Sequence, residues 1–271
     1  MKTLLFSFIL LTNVILAQEK VYHFAPLPTK KLEQNIKDFI PLFDAFYQDT
    51  SKKIEYLHFK NYKDILDGFQ KGTIDIAYLG PLPFVQLHKH YKFVKPIVTF
   101  KQKNSLAKYR CVIAQFSDEK LDFSKKIKVA LTQPLSTCGY LMTSKLLKQV
   151  YHHSLDKQLY KYTMSHTNAL SGVVEGNFDI AGAKEDIAKQ FTSLGMQIIA
   201  KTELLPGFAL VVNEKTLSKQ EIQQLQTYIL NLSEKKRNTL GGIIAKGVVK
   251  ADCKDYDVLR VDMTIPSKGN M

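Results

Sequence analysis

Ser136-Thr137-Cys138-Gly139-Tyr140 gathers small hydroxyl and thiol side chains where a strand-like run, 126–131, gives way to a helix-like one, 141–150. A helix start leaves several backbone N–H groups without intrahelical acceptors, and the positive end of the helix dipole adds to them. That combination suits a tetrahedral oxyanion, with the Ser136 and Thr137 hydroxyls as further donors. The same residues also suit an ordinary helix cap, because Ser and Thr are favoured there for local reasons. Both readings stay open on the pentapeptide alone.

The remaining reactive side chains argue against most other chemistry. Cys111, Cys138 and Cys253 are too few for a disulfide framework and lack zinc-binding spacing. His88 and His90 diverge on a helix, and His152 and His153 are adjacent, so surface or structural roles are expected. An enzyme reading would need Cys138 as a nucleophile at the helix start with His166 as its base. No Cys-x5-Arg loop accompanies them, so no enzyme, cofactor or metal is expected. Asp75 and Asp179 each close a Gly-x-x-Asp-Ile pattern and read as cap or turn residues leading into strands rather than as catalytic acids.

The formal charge of +13 comes from scattered basic residues, such as Lys30-Lys31, Lys52-Lys53, Lys125-Lys126 and Lys235-Lys236-Arg237. No aromatic-interleaved stripe accompanies them, so solvated faces are expected and no nucleic-acid partner. A positive field can still steer small anions. Residues 1–17 read as a cleavable export signal, with Lys2 before an apolar run and Ala17-Gln18 at the cleavage point. An uncleaved anchor is the alternative. No later segment reaches the roughly 20 apolar residues of a spanning helix, so a soluble exported protein is expected.

Strand-like and helix-like runs alternate along the chain, as in βαβ units. Strands are expected at 21–27, 53–59, 74–79, 93–100, 109–115, 127–131, 159–164, 178–183, 196–201 and 208–212. Helices are expected at 31–47, 62–70, from Pro81 onward, 141–150 and 218–232. The polar stretch 101–108 and Pro206-Gly207 read as two crossings between domains. The expected organisation is 1–17 signal, 18–108 plus 205–271 first lobe, and 109–204 second lobe.

Several blocks occur in the order of a known family. They are Asn61-Tyr62, then Gly72-Thr73-Ile74-Asp75-Ile76-Ala77-Tyr78-Leu79-Gly80-Pro81, then Tyr109-Arg110-Cys111-Val112-Ile113. Pro134-Leu135-Ser136-Thr137-Cys138-Gly139-Tyr140-Leu141 follows, then Ser165-His166 with Gly176-Asn177-Phe178-Asp179, and Pro206-Gly207. In these the chain resembles the phosphate/phosphite/phosphonate-binding periplasmic proteins of ABC importers.

The resemblance implies an α/β fold of the type II periplasmic-binding-protein kind. Each lobe would be a mixed, mostly parallel sheet flanked by helices, with the ligand cleft between lobes. It implies a periplasmic monomer that captures phosphate, phosphite or an alkylphosphonate for a membrane ABC permease. The alternative is a receptor presenting the same anion to a sensor kinase or chemoreceptor. Ser136, Thr137 and Cys138 would wrap the anion, Tyr109 would donate from the inter-lobe strand, His166 from a strand end, and Tyr62 from the opposite lobe. Tyr78 and Gly80 are further candidates. Such a cage of neutral donors and helix dipoles costs less desolvation than a buried Lys or Arg partner.

Two departures from the family pattern matter. Cys138 and Cys111 replace serines, so both cysteines would lie near the cleft, where an oxidising compartment allows them to pair. In aminoalkylphosphonate binders of the family two carboxylates hold the substrate amine. Here Phe208 stands in the first of those positions and Asp186 matches the second, which favours an apolar tail or none.

Overall fold

Apolar residues on neighbouring strand positions point to opposite faces, and in this chain both faces are buried. The computed structural model describes residues 20–102, 105–117, 120–259 and 264–271. The expected export signal, 1–17, lies outside them, as do two residues of the first crossing. Thirteen strands form: β1 (Tyr22–Pro26), β2 (Ile54–Tyr56), β3 (Ile76–Leu79), β4 (Val94–Phe100), β5 (Lys108–Tyr109), β6 (Cys111–Phe116), β7 (Lys128–Leu131), β8 (Leu159–Tyr162), β9 (Ile180–Lys184), β10 (Met196–Lys201), β11 (Leu205–Pro206), β12 (Ala209–Asn213) and β13 (Val248–Lys250). The helices that matter for the site are α1 (Leu32–Thr50), α2 (Tyr62–Lys71), α3 (Pro81–His90), α4 (Thr143–Tyr151) and α5 (His166–Val174). After them come α6 (Glu185–Ala188), α7 (Lys219–Asn231) and α8 (Glu234–Leu240).

Two main sheets result, one in the order β13-β4-β12-β3-β1-β2 and one in the order β10-β6-β9-β7-β8. In the first, Leu210 and Val212 of β12 join Phe39, Phe43 and Phe46 of α1 and Ile222 and Ile229 of α7 in one core. Ala209 and Val211 face the other way, toward Ile65 and Phe69 of α2 and Leu82 and Leu87 of α3. The second sheet repeats the pattern. Val112 and Ala130 pack with Leu170 of α5, while Ile113 and Val129 pack with Leu146 and Leu147 of α4. The core on the inner faces is continuous from one sheet to the other.

Both sheets are mixed, as expected, with four of six strands in the first and four of five in the second running in one direction. β1 pairs β2 and β3 in parallel, but β12 runs antiparallel between β3 and β4, and β13 antiparallel to β4. In the second sheet β7 is parallel to β8 and β9, and β6 is antiparallel to β9 and β10. The cause is connectivity. A strand that re-enters a sheet from the other lobe enters from the opposite end and must pair antiparallel.

The two Gly-x-x-Asp-Ile patterns serve as matching clips. Asp75 Oδ2 accepts from the His23 amide at 2.8 Å, and the Asp75 amide donates to the His23 carbonyl at 3.0 Å. Asp179 Oδ2 accepts from the Lys128 amide at 2.6 Å, and its own amide donates to the Lys128 carbonyl at 2.9 Å. Each carboxylate thus locks a strand entrance to the neighbouring parallel strand.

The two crossings also pair with each other, as Leu205 opposite Tyr109 and Pro206 opposite Lys108. The Gly207 amide donates to the Ala107 carbonyl at 2.8 Å. A Cβ on Gly207 would come within 2.7 Å of that same oxygen, so only glycine allows the approach. After β13 the chain crosses once more. Tyr256 donates to the Gly207 carbonyl at 3.1 Å, and further on Asn270 bonds along β8, its amide donating to the Tyr160 carbonyl and its side-chain oxygen accepting from the Tyr160 amide. The last residues of the chain therefore lie on the second sheet.

Asp75 is buried and accepts from a part-buried backbone N–H. Asp75→Ala is expected to lower unfolding free energy by about 1–3 kcal/mol, with a smaller loss for the more exposed Asp179→Ala, as read by urea denaturation.

Candidate functional site

The pentapeptide at 136–140 forms a wide, π-type turn, Thr137–Met142, that runs into α4. The Ser136 hydroxyl oxygen accepts from the Gly139 amide at 3.0 Å. Capping uses that oxygen and leaves the hydroxyl proton free to donate. The cap reading is therefore met, and it leaves room for the anion reading. Tyr140 and Leu141 amides both reach the Ser136 carbonyl, while the first-turn amides of Thr137 and Cys138 have no intrahelical acceptor.

The turn lines a small, partly open cavity with Leu27, Tyr62, Gly80, Pro83, Tyr109, His166, Lys184 and Phe208. The structure brings together Ser136, Thr137, Cys138, Tyr109, His166, Tyr62, Gly80 and Phe208 of the sequence candidates. Two others lie outside the lining. Tyr78 packs among Phe39, Phe100 and Phe208, because its side chain belongs to the aromatic core of the first sheet. Asp186 stands behind the wall, with its carboxylate 3.8 Å from Lys184 Nζ.

Local structure explains each placement. Asn61 caps α2 through its side chain, which accepts from the Asp64 amide, and Tyr62 is the first residue of that helix. Gly80 caps α3, and a Cβ there would meet the Phe208 ring at 2.9 Å. Tyr109 lies on β5 in the paired crossings. His166 is not at a strand end, as expected, but is the first residue of α5, because the Ser165 hydroxyl accepts from the Asn168 amide and starts the helix one residue earlier. Three helix starts therefore face one small space: those before α3 and α5, and the wide turn before α4.

One contact crosses the cleft directly. The Leu82 amide, in the first turn of α3, donates to Thr137 Oγ1 at 3.0 Å. Beside it two buried polar atoms have no hydrogen-bond partner among the described residues, the Tyr109 hydroxyl and His166 Nδ1. Burial raises the Tyr109 phenol far above its ordinary range, opposed by the neighbouring Thr137 hydroxyl. Burial also raises Tyr62. His166 is pushed down to about 4 by desolvation first and then by the Lys184 charge, with Asp186 and the Gly182 backbone opposing. At neutral pH it is an uncharged imidazole.

Cys111 and Cys138 form a disulfide across 27 residues, which ties the start of β6 to the anion turn. Neither sulfur is then a thiol donor or a nucleophile, and the enzyme reading loses its reacting group. Cys253 stands outside the pair. Among the described residues no group of three His, Cys, Asp or Glu side chains could hold a metal, and no helix is long and apolar enough to cross a membrane.

Lys184 is the polar lining residue that sequence reasoning missed, beside the apolar Leu27 and Pro83. A cage of neutral donors was expected, and the structure adds an ammonium. Before Glu185-Asp186 a lysine reads as part of a solvated charge run. The signal available was its place at the end of a strand of small and apolar residues, Ile180 to Ala183.

The model of the ABC transporter phosphonate periplasmic substrate-binding proteins matches residues 24–256. The chain belongs to this family. Its members are transporter binding proteins rather than enzymes, and they are periplasmic. Among relatives, the phosphate-import protein PhnD of Mycolicibacterium smegmatis is 22% identical over 267 residues, covering 87% of this chain and 83% of that one. Among solved structures, PhnD1 of Prochlorococcus marinus in complex with methylphosphonate aligns with TM-score 0.75 at 18% identity, covering 89% of this chain and 96% of that one. A binding-protein component of an ABC phosphonate transporter from Pseudomonas aeruginosa aligns with TM-score 0.73 at 16% identity, covering 88% and 84%. The fold of the family is therefore the fold found here.

Two measurements follow from the site chemistry. An unfolded His166 titrates near 6.5, so between there and about 4 the unfolded chain binds the extra proton and folding disfavours it. Its contribution is complete above the upper value and is lost as pH falls, by about 2 kcal/mol at pH near 5, and His166→Gln should remove that part of the pH slope in thermal melts. A thiol assay on native, unreduced protein should find one reactive cysteine, and three after unfolding and reduction. Reducing the disulfide should cost about 3–4 kcal/mol of stability by chain entropy.

Proposed function

We propose that this chain is an exported, monomeric solute-binding protein that closes two lobes over a small phosphorus oxyanion and passes it to a membrane ABC permease. The lobes are 18–108 with 205–259, and 109–204 with 264–271 laid against its sheet in place of the first lobe where they were expected, and the paired crossings form the hinge. Ser136, Thr137 and Cys138 wrap the anion with hydroxyl and backbone donors, Tyr109 and His166 donate from the second lobe's side, and Tyr62 completes the cage from the first. The ligand is phosphate, phosphite or a short alkylphosphonate.

The observation that carries this reading is the convergence of three helix starts on a cavity whose Tyr109 hydroxyl and His166 Nδ1 are buried without partners. Burying such atoms unpaired costs free energy, and a tetrahedral oxyanion with several acceptor oxygens satisfies them together. Only the closed form brings α3 to the turn, as the Leu82–Thr137 bond illustrates. Ligand binding therefore shifts an open-to-closed equilibrium by its differential contacts. The Phe208 ring against Gly80 favours a short apolar tail or none. The Prochlorococcus relative holding methylphosphonate and the Mycolicibacterium relative named for phosphate import both fit that range.

Isothermal titration of mature protein, stripped of carried-over ligand, against phosphate, phosphite and methylphosphonate tests the reading. Tight binding of at least one is expected, and absence of binding to all three would refute it. Ser136→Ala and Thr137→Ala should each weaken the bound ligand about tenfold or more, since a hydrogen bond to a charged group contributes roughly 1.5–3 kcal/mol.

A further inference from the structure

This inference rests on the oxyanion reading and refines it. Lys184 ends β9 and lines the cavity, with its side chain 15% exposed. Its Nζ lies 5.1 Å from the centre of the Tyr109 ring and 5.6 Å from that of Phe208. It is 3.8 Å from Asp186 Oδ2 and 3.4 Å from Gln102 Oε1. Two aromatic faces, a carboxylate and an amide oxygen thus hold one ammonium beside the anion cradle. Aromatic faces attract a cation more strongly when water is excluded.

Among the described residues, those lining the cavity include no carboxylate. Asp186, the acid nearest this ammonium, has its charge matched from within the chain. We infer that Lys184 is a specificity-determining residue: it fills, from the protein itself, the position beside the cradle that a cationic ligand tail would need. The site then admits oxyanions with no tail or a short apolar one and rejects those bearing an ammonium. A ligand ammonium would meet a like charge at close range, and like-charge contacts in a desolvated site cost several kcal/mol. It would also have to displace Lys184 from both rings. The same ammonium assists binding of the oxyanion.

Titration of the stripped mature protein with methylphosphonate and with 2-aminoethylphosphonate tests this, using wild type, Lys184→Met, Lys184→Arg and Lys184→Met with Asp186→Asn. Wild type should prefer methylphosphonate by about tenfold or more, and Lys184→Met should shrink that ratio at least about tenfold while weakening methylphosphonate itself. Lys184→Arg should keep the wild-type preference. The double variant should lose the gain for the aminoalkyl ligand, because the released carboxylate is gone. If Lys184→Met weakens both ligands equally, or if wild type binds them equally, the inference is wrong while the oxyanion reading stands. If wild type binds neither of these nor phosphate or phosphite, both fall.

Discussion

The structure is organised around the cost of keeping polar donors dry. Closing the lobes removes water from the Tyr109 hydroxyl, His166 and the first-turn amides at 137 and 138, and low dielectric makes each unsatisfied group expensive. On the proposed reading, a negatively charged ligand with acceptors in several directions reverses that cost. Much of the remaining architecture serves to hold these donors in place. Asp75 and Asp179 fix the strand entrances, the Cys111–Cys138 disulfide fixes the turn, and the Ser165 cap fixes where α5 begins.

Charge in the site is arranged with the same economy. His166 is held neutral, so it contributes direction without a second fixed charge. Lys184 is half-buried, with two rings and Asp186 around its Nζ, and desolvation pushes that group below its usual range against the opposing Asp186 charge. A single cation beside three helix starts gives a positive field without the desolvation cost of two buried ammoniums. The scattered basic residues of the surface add only a long-range, salt-screened component.

Much of this was readable in the residues, and the exceptions share a cause. Strong local signals carried through: α2 from Tyr62, α3 from Pro81, β10 at Met196–Lys201, and the turn at 136–140. The Asp75 and Asp179 patterns were read as structural, and they are. What sequence could not carry was set by contacts between distant parts of the chain. Lys184 looks like surface because its ring partners, Tyr109 and Phe208, lie far away in sequence. The direction of β12 depends on how the chain returns from the other lobe. β13 is a three-residue strand, Val248–Lys250, too short to show a period, and it exists because β4 offers an edge. His166 was assigned to a strand end because the Ser165 cap is a single-residue signal.

The end of the chain bears on how the second sheet is completed. β8 is the outer strand of that sheet, and Asn270 supplies both a donor and an acceptor to Tyr160 and a donor to the Gln158 carbonyl. Open strand edges invite pairing with other chains, most of all while folding is incomplete. Because Asn270 lies 110 residues after the Tyr160 it bonds, the sheet can be built long before this edge is sealed. Residues 264–271 thus act as a late cover on the protein's own adhesive side, and a chain whose Asn270 cannot bond Tyr160 would keep that side uncovered.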